Sequence, residues 1–199
     1  LLAAGVTDGL PVVLPTRERV EHMLTANRRR ANEVVCVLAP LFAEALWHDV
    51  VVNAVMAGCR ADYLPVIAAA LEAMAADEFN LMGIGTTTGS AAPLIIVNGP
   101  IVDRLGINAR ANAFGPGAHA NATIGRAVSL CLRNIGGAKP GEIDMATLGQ
   151  PGKYTFCIAE NEAQSPWPPL HVDRGFDVRD SVITVFGASG NIEMVDSIS

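Results

Sequence analysis

Charge is scarce in this sequence. Asp, Glu, Lys and Arg make up 17% of the 199 residues, against roughly a quarter in an ordinary domain. The balance is acidic, with 14 Lys and Arg against 20 Asp and Glu and a formal net charge of −6. That excludes the extended basic footprint of a nucleic-acid binder. No run of about 18 apolar residues occurs, which excludes a membrane-spanning helix. The four cysteines, Cys36, Cys59, Cys131 and Cys157, form no Cys-x-x-Cys pair, and the four histidines lack paired spacing. A zinc-finger ligand set is therefore excluded, and a reduced, cytoplasmic protein is expected. The opening Leu1-Leu2-Ala3 lacks the charged head and apolar core of a signal peptide. Both ends are expected to be cut from something longer.

Apolar residues, by contrast, reach 50%, and the mean hydropathy is +0.33. With so little charge, part of the surface is expected to be hidden in an assembly. Residues 1–199 are long enough to bury roughly two-thirds of their unfolded surface in a single domain, as part of a longer chain or one subunit of a heteromer. No internal repeat or linker-like tract interrupts them.

Thr16 is a candidate cap for a helix reaching Arg30, with Val20, Met23 and Leu24 on its apolar face and Arg28, Arg29 and Arg30 in its last turn, where cations suit the helix dipole. Residues 33–38 read as a strand with Cys36 between valines. Asp49 and Asp62 are candidate caps for two further helices, the second with Leu64, Ile67, Leu71 and Met74 at helical spacing. Residues 83–90 form a Gly/Thr-rich loop before the strand 94–97, and Asn98-Gly99-Pro100 turns it into a short helix. Asn121 or Thr123 is expected to cap a helix whose stripe is Ile124, Val128, Cys131 and Ile135. A strand over 154–158 and a hairpin formed by 181–186 and 191–195 complete the pattern. Helices interleaved with strands and closing on a C-terminal β-hairpin predict an α/β or α+β fold with a mixed sheet.

Three stretches could carry chemistry. In residues 114–126, Gly115 and Gly117 around Pro116 let the backbone approach a ligand, and the following helix start aims free N–H groups at it. His119, Asn121, Thr123 and Arg126 then face an anionic substrate group; the alternative is an ordinary capped loop. Cys59 is the one thiol outside an apolar stripe, beside Arg60 and Asp62. The C-terminal end of the helix before it raises its pKa, whereas Arg60 and the next helix start lower it. It is either a nucleophile or redox thiol, or a packed turn residue. Third, Glu160 and Glu162 follow a strand end, where carboxylates suit acid–base work or metal binding. Trp167, stiffened by Pro166, Pro168 and Pro169, could wall a pocket or order a surface loop. His171 and Asp173 carry less weight, since their spacing is strand-like. Glu160, Glu162 and a histidine could gather a metal, and the residues leave the cofactor open.

Several segments resemble a bacterial family found alone, fused to, or accompanying proteins with a redox-type UGSC (seleno)cysteine motif. They are residues 8–13, the Asn53-Ala54-Val55-Met56-Ala57-Gly58-Cys59 segment, residues 92–100, 114–117 and 120–127, and residues 151–154, 160–162 and 165–167. Together they span nearly the whole chain, which has no Cys-Gly-Ser-Cys segment of its own. The resemblance implies a hetero-oligomer in which a UGSC-motif partner carries the redox chemistry. This chain would then shape the substrate pocket and supply Cys59 or Glu160.

The expectation is an enzyme or enzyme subunit acting on a small polar or anionic substrate. Cys59, Glu160 and His119 would be catalytic, with Asn98, Gly115, Gly117, Asn121, Thr123, Arg126 and Trp167 in contact with substrate. The reaction would be thiol-dependent hydrolysis or lyase chemistry, or redox chemistry shared with the partner. The alternative is a non-catalytic assembly subunit of a homo- or hetero-oligomer.

Overall fold

A computed structural model describes residue 3 and residues 5–192 of the chain. The elements run α1 (Arg17–Ala26), β1 (Val34–Leu38), β2 (Ala43–Leu46), α2 (Trp47–Ala57), α3 (Leu64–Ala75), α4 (Leu81–Thr86), β3 (Ala92–Asn98), α5 (Ile101–Leu105), α6 (His119–Asn134), β4 (Cys157–Ala159), α7 (Leu170–Asp173) and β5 (Val182–Ala188). This is an α+β fold with two small sheets. β1 and β2 form an antiparallel hairpin, while β4, β3 and β5 form a mixed sheet with β3 in the centre. β3 pairs parallel with β4, Ile95 opposite Cys157, and antiparallel with β5, Leu94 opposite Phe186.

Because β3 and β4 are parallel, the chain must cross over between them, and α5 and α6 make that crossover. The core gathers where α2, α3 and α6 meet the sheet. Val50, Ala54, Leu64, Ile67, Ile124 and Cys131 are all fully buried there. α6 can lie close on β4 because position 125 is glycine: a Cβ there would sit 2.8 Å from the Phe156 nitrogen.

Several expected boundaries move, each for a local reason. α1 stops at Ala26 because Asn27 turns its amide onto the Met23 and Ala61 carbonyls, so Arg28, Arg29 and Arg30 lie beyond the helix. α2 starts at Trp47 rather than behind Asp49. Its first amides, on Trp47 and His48, are satisfied by the Glu33 and Ala31 carbonyls, which makes a side-chain cap unnecessary. Asp62 does not cap α3; it pairs with Arg60 in a 3-10 turn. Asn80 caps α4, its Oδ1 accepting from the Gly83 amide at 3.1 Å, so the Gly/Thr-rich stretch begins as helix.

The strand expected from 154 is only Cys157–Ala159, because Pro151–Lys153 forms a 3-10 turn and the Tyr154 amide donates back to Pro151. The C-terminal strand is present as β5 and pairs antiparallel with β3; most of the second hairpin strand expected over 191–195 falls beyond the described residues. Asn191 and Ile192 are not in a strand, and residues 193–195 lie outside the described ones. No helix among the described residues is long and apolar enough to cross a membrane.

Candidate functional site

In a βαβ crossover the helix runs back antiparallel to its strands, so the carboxyl ends of the strands and the amino end of the helix share one edge. That edge is where open α/β sheets bind ligands. Asn98 is the last residue of β3 and Glu160 the first after β4, so both stand there. The Asn98 Nδ2 donates to Glu160 Oε2 at 2.6 Å and to Glu162 Oε1 at 2.7 Å. The Leu170 amide adds a second donor to Glu160 at 2.8 Å. The Gly99 amide adds one to Glu162, also at 2.8 Å. Gly99 takes φ +83° with the Asp180 carbonyl against its α-carbon, a conformation that favours glycine.

Two carboxylates are therefore fixed through one oxygen each, and the opposite oxygen of each has no hydrogen bond among the described residues. His171, fully buried, brings Nδ1 to 3.8 Å from Glu162 Oε1. Both of its ring nitrogens and the Asn98 Oδ1 are buried without a partner. Beside this cluster opens a cleft of about 470 Å³, with Glu160, Glu162, Asp103, Asn108 and Arg110 on its walls.

Asn121 reaches the same edge but is fully engaged. Its Oδ1 accepts from the Asn108 amide at 2.7 Å, and its Nδ2 donates to the Asn108 carbonyl at 2.9 Å. Asn108 in turn accepts from the Ala159 amide. Asn121 thus clamps the 107–113 loop to the end of β4 and is neither a helix cap nor a free ligand contact. α6 begins at His119 with no side-chain cap, and Thr123 Oγ1 donates to the His119 carbonyl.

Arg126, expected as a charge for substrate, is held by Asp8 through two hydrogen bonds of 2.7 and 2.8 Å. Burial alone would raise the Asp8 carboxyl, but the Arg126 hydrogen bonds and charge and the Leu10 amide hold it below its usual range. Gly115 accommodates the Asn112 side chain where a Cβ would collide. Gly117, at φ +120°, adopts a turn that side chains rarely allow. The loop is thus built around its own contacts.

The Cys59 Sγ donates to the Thr123 carbonyl at 3.2 Å. Burial pushes its thiol up to about 12, and the Arg126 charge does not offset this, so at neutral pH it is protonated and a poor nucleophile. The other three thiols are raised too, chiefly by burial: Cys36 to about 11, Cys157 to about 12, and Cys131 well above the ordinary range. His119 Nδ1 lies 3.4 Å from the Tyr63 hydroxyl, and Arg60 stacks over that Tyr63 ring. No hydrogen bond joins Cys59 or His119 to Glu160. Trp167 is 75% exposed, with its backbone tied to Ser165 Oγ.

Among the described residues no group of three or more His, Cys, Asp or Glu side chains is disposed to hold a metal ion. The structure therefore brings Asn98 and Glu160 together, adds Glu162 and His171, and leaves Cys59 and His119 in a separate group around Tyr63 and Thr123. His171 had one usable signal, its place in Leu170-His171-Val172 behind two prolines, which starts a short helix. No family model matches the chain, and no curated protein or solved structure matches it either.

Proposed function

We propose that this chain is an enzyme, or the enzymatic subunit of a larger assembly, that performs acid–base chemistry on a small polar molecule in the cleft beyond the carboxyl ends of β3 and β4. The observation that carries this reading is the shared Asn98 amide. One nitrogen orients Glu160 and Glu162 together, and leaves each an oxygen able to take or give a proton. A backbone amide on each carboxylate, from Leu170 and Gly99, holds the pair rigid, as proton transfer at a fixed position requires. Cys59 serves as a packing thiol in this reading, and the polar substrate meets Asn108 and Arg110 rather than the 114–126 loop.

A second reading, an assembly subunit partnered by a UGSC-motif chain, is favoured by one observation. The β1–β2 hairpin leaves Val34, Val37, Leu41 and Phe42 exposed, an apolar patch of the kind that marks interfaces.

The test is metabolite depletion. The protein is incubated with a small-molecule extract, with and without dialysed bacterial lysate to supply a partner, and the mixture is profiled by mass spectrometry. The proposal expects a compound consumed by the wild type and spared by Glu160→Gln and Glu162→Gln, with both variants melting like the parent. Depletion unaffected by either substitution, or no depletion in any mixture, overturns it.

A further inference from the structure

A second cleft lies at the other end of α6. Ser129, Leu130 and Arg133 form one wall of a space of about 620 Å³, and Pro140, Leu148 and Tyr154 stand across it. A narrower recess shares Ser129, Arg133, Ala138, Asp144 and Lys153 with it and reaches Ala39 and Ile84. The main cleft is within the size range of small-molecule sites, and such sites are mostly apolar with a few fixed polar groups.

Its charges are not equivalent. Asp144 is matched by Lys153, Nζ to Oδ2 at 2.6 Å, and Asp8 by Arg126. Arg133 has no carboxylate partner among the described residues. Its guanidinium donates through Nη2 to the Gly5 carbonyl at 3.2 Å, and its Nε is buried with no partner. Arg133 also lies in the last turn of α6, where a cation complements the helix dipole. That accounts for the sign of the charge but leaves the unpartnered N–H unexplained, and such a group is costly. A guanidinium lining a cleft, its neighbours' charges already cancelled, is suited to a single carboxylate.

We infer that this cleft binds a small amphipathic monoanion, a carboxylate head on Arg133 with an apolar body against Leu130, Leu148 and Tyr154. The site is separate from the Asn98–Glu160–Glu162 cleft and does not depend on the reading given to it.

Octanoate is the probe, with octylammonium and inorganic phosphate as controls, and binding is read by calorimetry and saturation-transfer NMR. Octanoate should bind the wild type saturably and more tightly than either control. Arg133→Met keeps the stem but removes the charge, and should weaken octanoate at least tenfold. Leu148 is 92% exposed, so Leu148→Glu leaves folding intact; by placing a like charge at the mouth it should weaken octanoate severalfold. If Arg133→Met does not fold, Leu148→Glu decides alone. No saturable octanoate binding to the folded wild type overturns the inference. So does equal affinity for octylammonium or phosphate, or affinity unchanged in the variants.

Discussion

Asn98 donates one amide nitrogen to two carboxylates, Glu160 at 2.6 Å and Glu162 at 2.7 Å, across a sequence separation of more than sixty residues. Two like charges brought onto one group repel unless a donor holds them. The fully buried Asn98 side chain, with the Gly99 and Leu170 amides, is that donor set.

Replacing Asn98 therefore has a directional consequence. Asn98→Ala should destabilise the fold by about 2–3 kcal/mol, the scale of losing hydrogen bonds to charged groups. Asn98→Asp sets a third carboxylate against the pair and should cost more at pH 7. Part of that loss should return at pH 5, because the folded state of this variant takes up protons more readily than its unfolded chain. Urea unfolding at both pH values checks this. Equal stability of the Asp variant at both would show that the shared amide is not what holds the carboxylates.

Cys59 is expected to label slowly. Burial pushes its folded thiol up from the ordinary 9.0 to about 12, so the neutral form is favoured by folding. That stabilisation is complete below about pH 9 and is lost as the pH rises through about 12. At pH 8 the native protein should alkylate at Cys59 at least a hundredfold more slowly than the urea-unfolded chain. Peptide-resolved mass spectrometry after timed iodoacetamide exposure measures the ratio. A rate near that of the unfolded chain would restore Cys59 as a reactive thiol.

The Asp8–Arg126 pair ties the amino-terminal segment to α6, with both side chains mostly covered. Asp8 is held below the usual value of 3.8, so its contribution is present above that pH and is lost as the pH falls through the lower folded value. Asp8→Asn should cost about 1–3 kcal/mol at pH 7, and the difference from wild type should shrink as the pH is taken below 3.8. Thermal melts across that range test the trend; a difference that grows on acidification would contradict it.

Gly125 sets two physical effects against each other. In a solvated helix, alanine is more favourable than glycine by roughly 1 kcal/mol. Here its Cβ would lie 2.8 Å from the Phe156 nitrogen and 3.2 Å from the Cys157 Cβ, so β4 or α6 must shift. Overpacking of that kind typically costs about 1–3 kcal/mol, and packing should win. Gly125→Ala is expected to lower the urea midpoint, and a raised midpoint would mean that α6 does not approach β4 this closely.

Much of the fold was legible in order of residues alone. The Ile124, Val128 and Cys131 stripe requires a helix with one buried face, and that helix is α6. The apolar run 94–97 ending in Asn98-Gly99-Pro100 requires a strand and a sharp turn, and β3 runs into α5 there. Such features depend on neighbours within one or two turns, which the sequence contains. Helix ends were less legible, because long-range backbone contacts can replace a side-chain cap, as the Glu33 and Ala31 carbonyls do for α2.

The candidate site divides along the same line. That Glu160 and Glu162 follow a strand end is local information, and it identified them as candidates. Their meeting with Asn98 and His171 depends on the parallel pairing of β3 with β4, a contact between distant segments that residue order does not encode locally. Tertiary structure alone also disengaged Arg126, whose partner Asp8 lies 118 residues away, and made the Cys59 thiol harder to ionise by burying it. Residue types and periodicity determined which groups could do chemistry; desolvation and the pairing of distant strands decided which of them are held together, and which are neutralised.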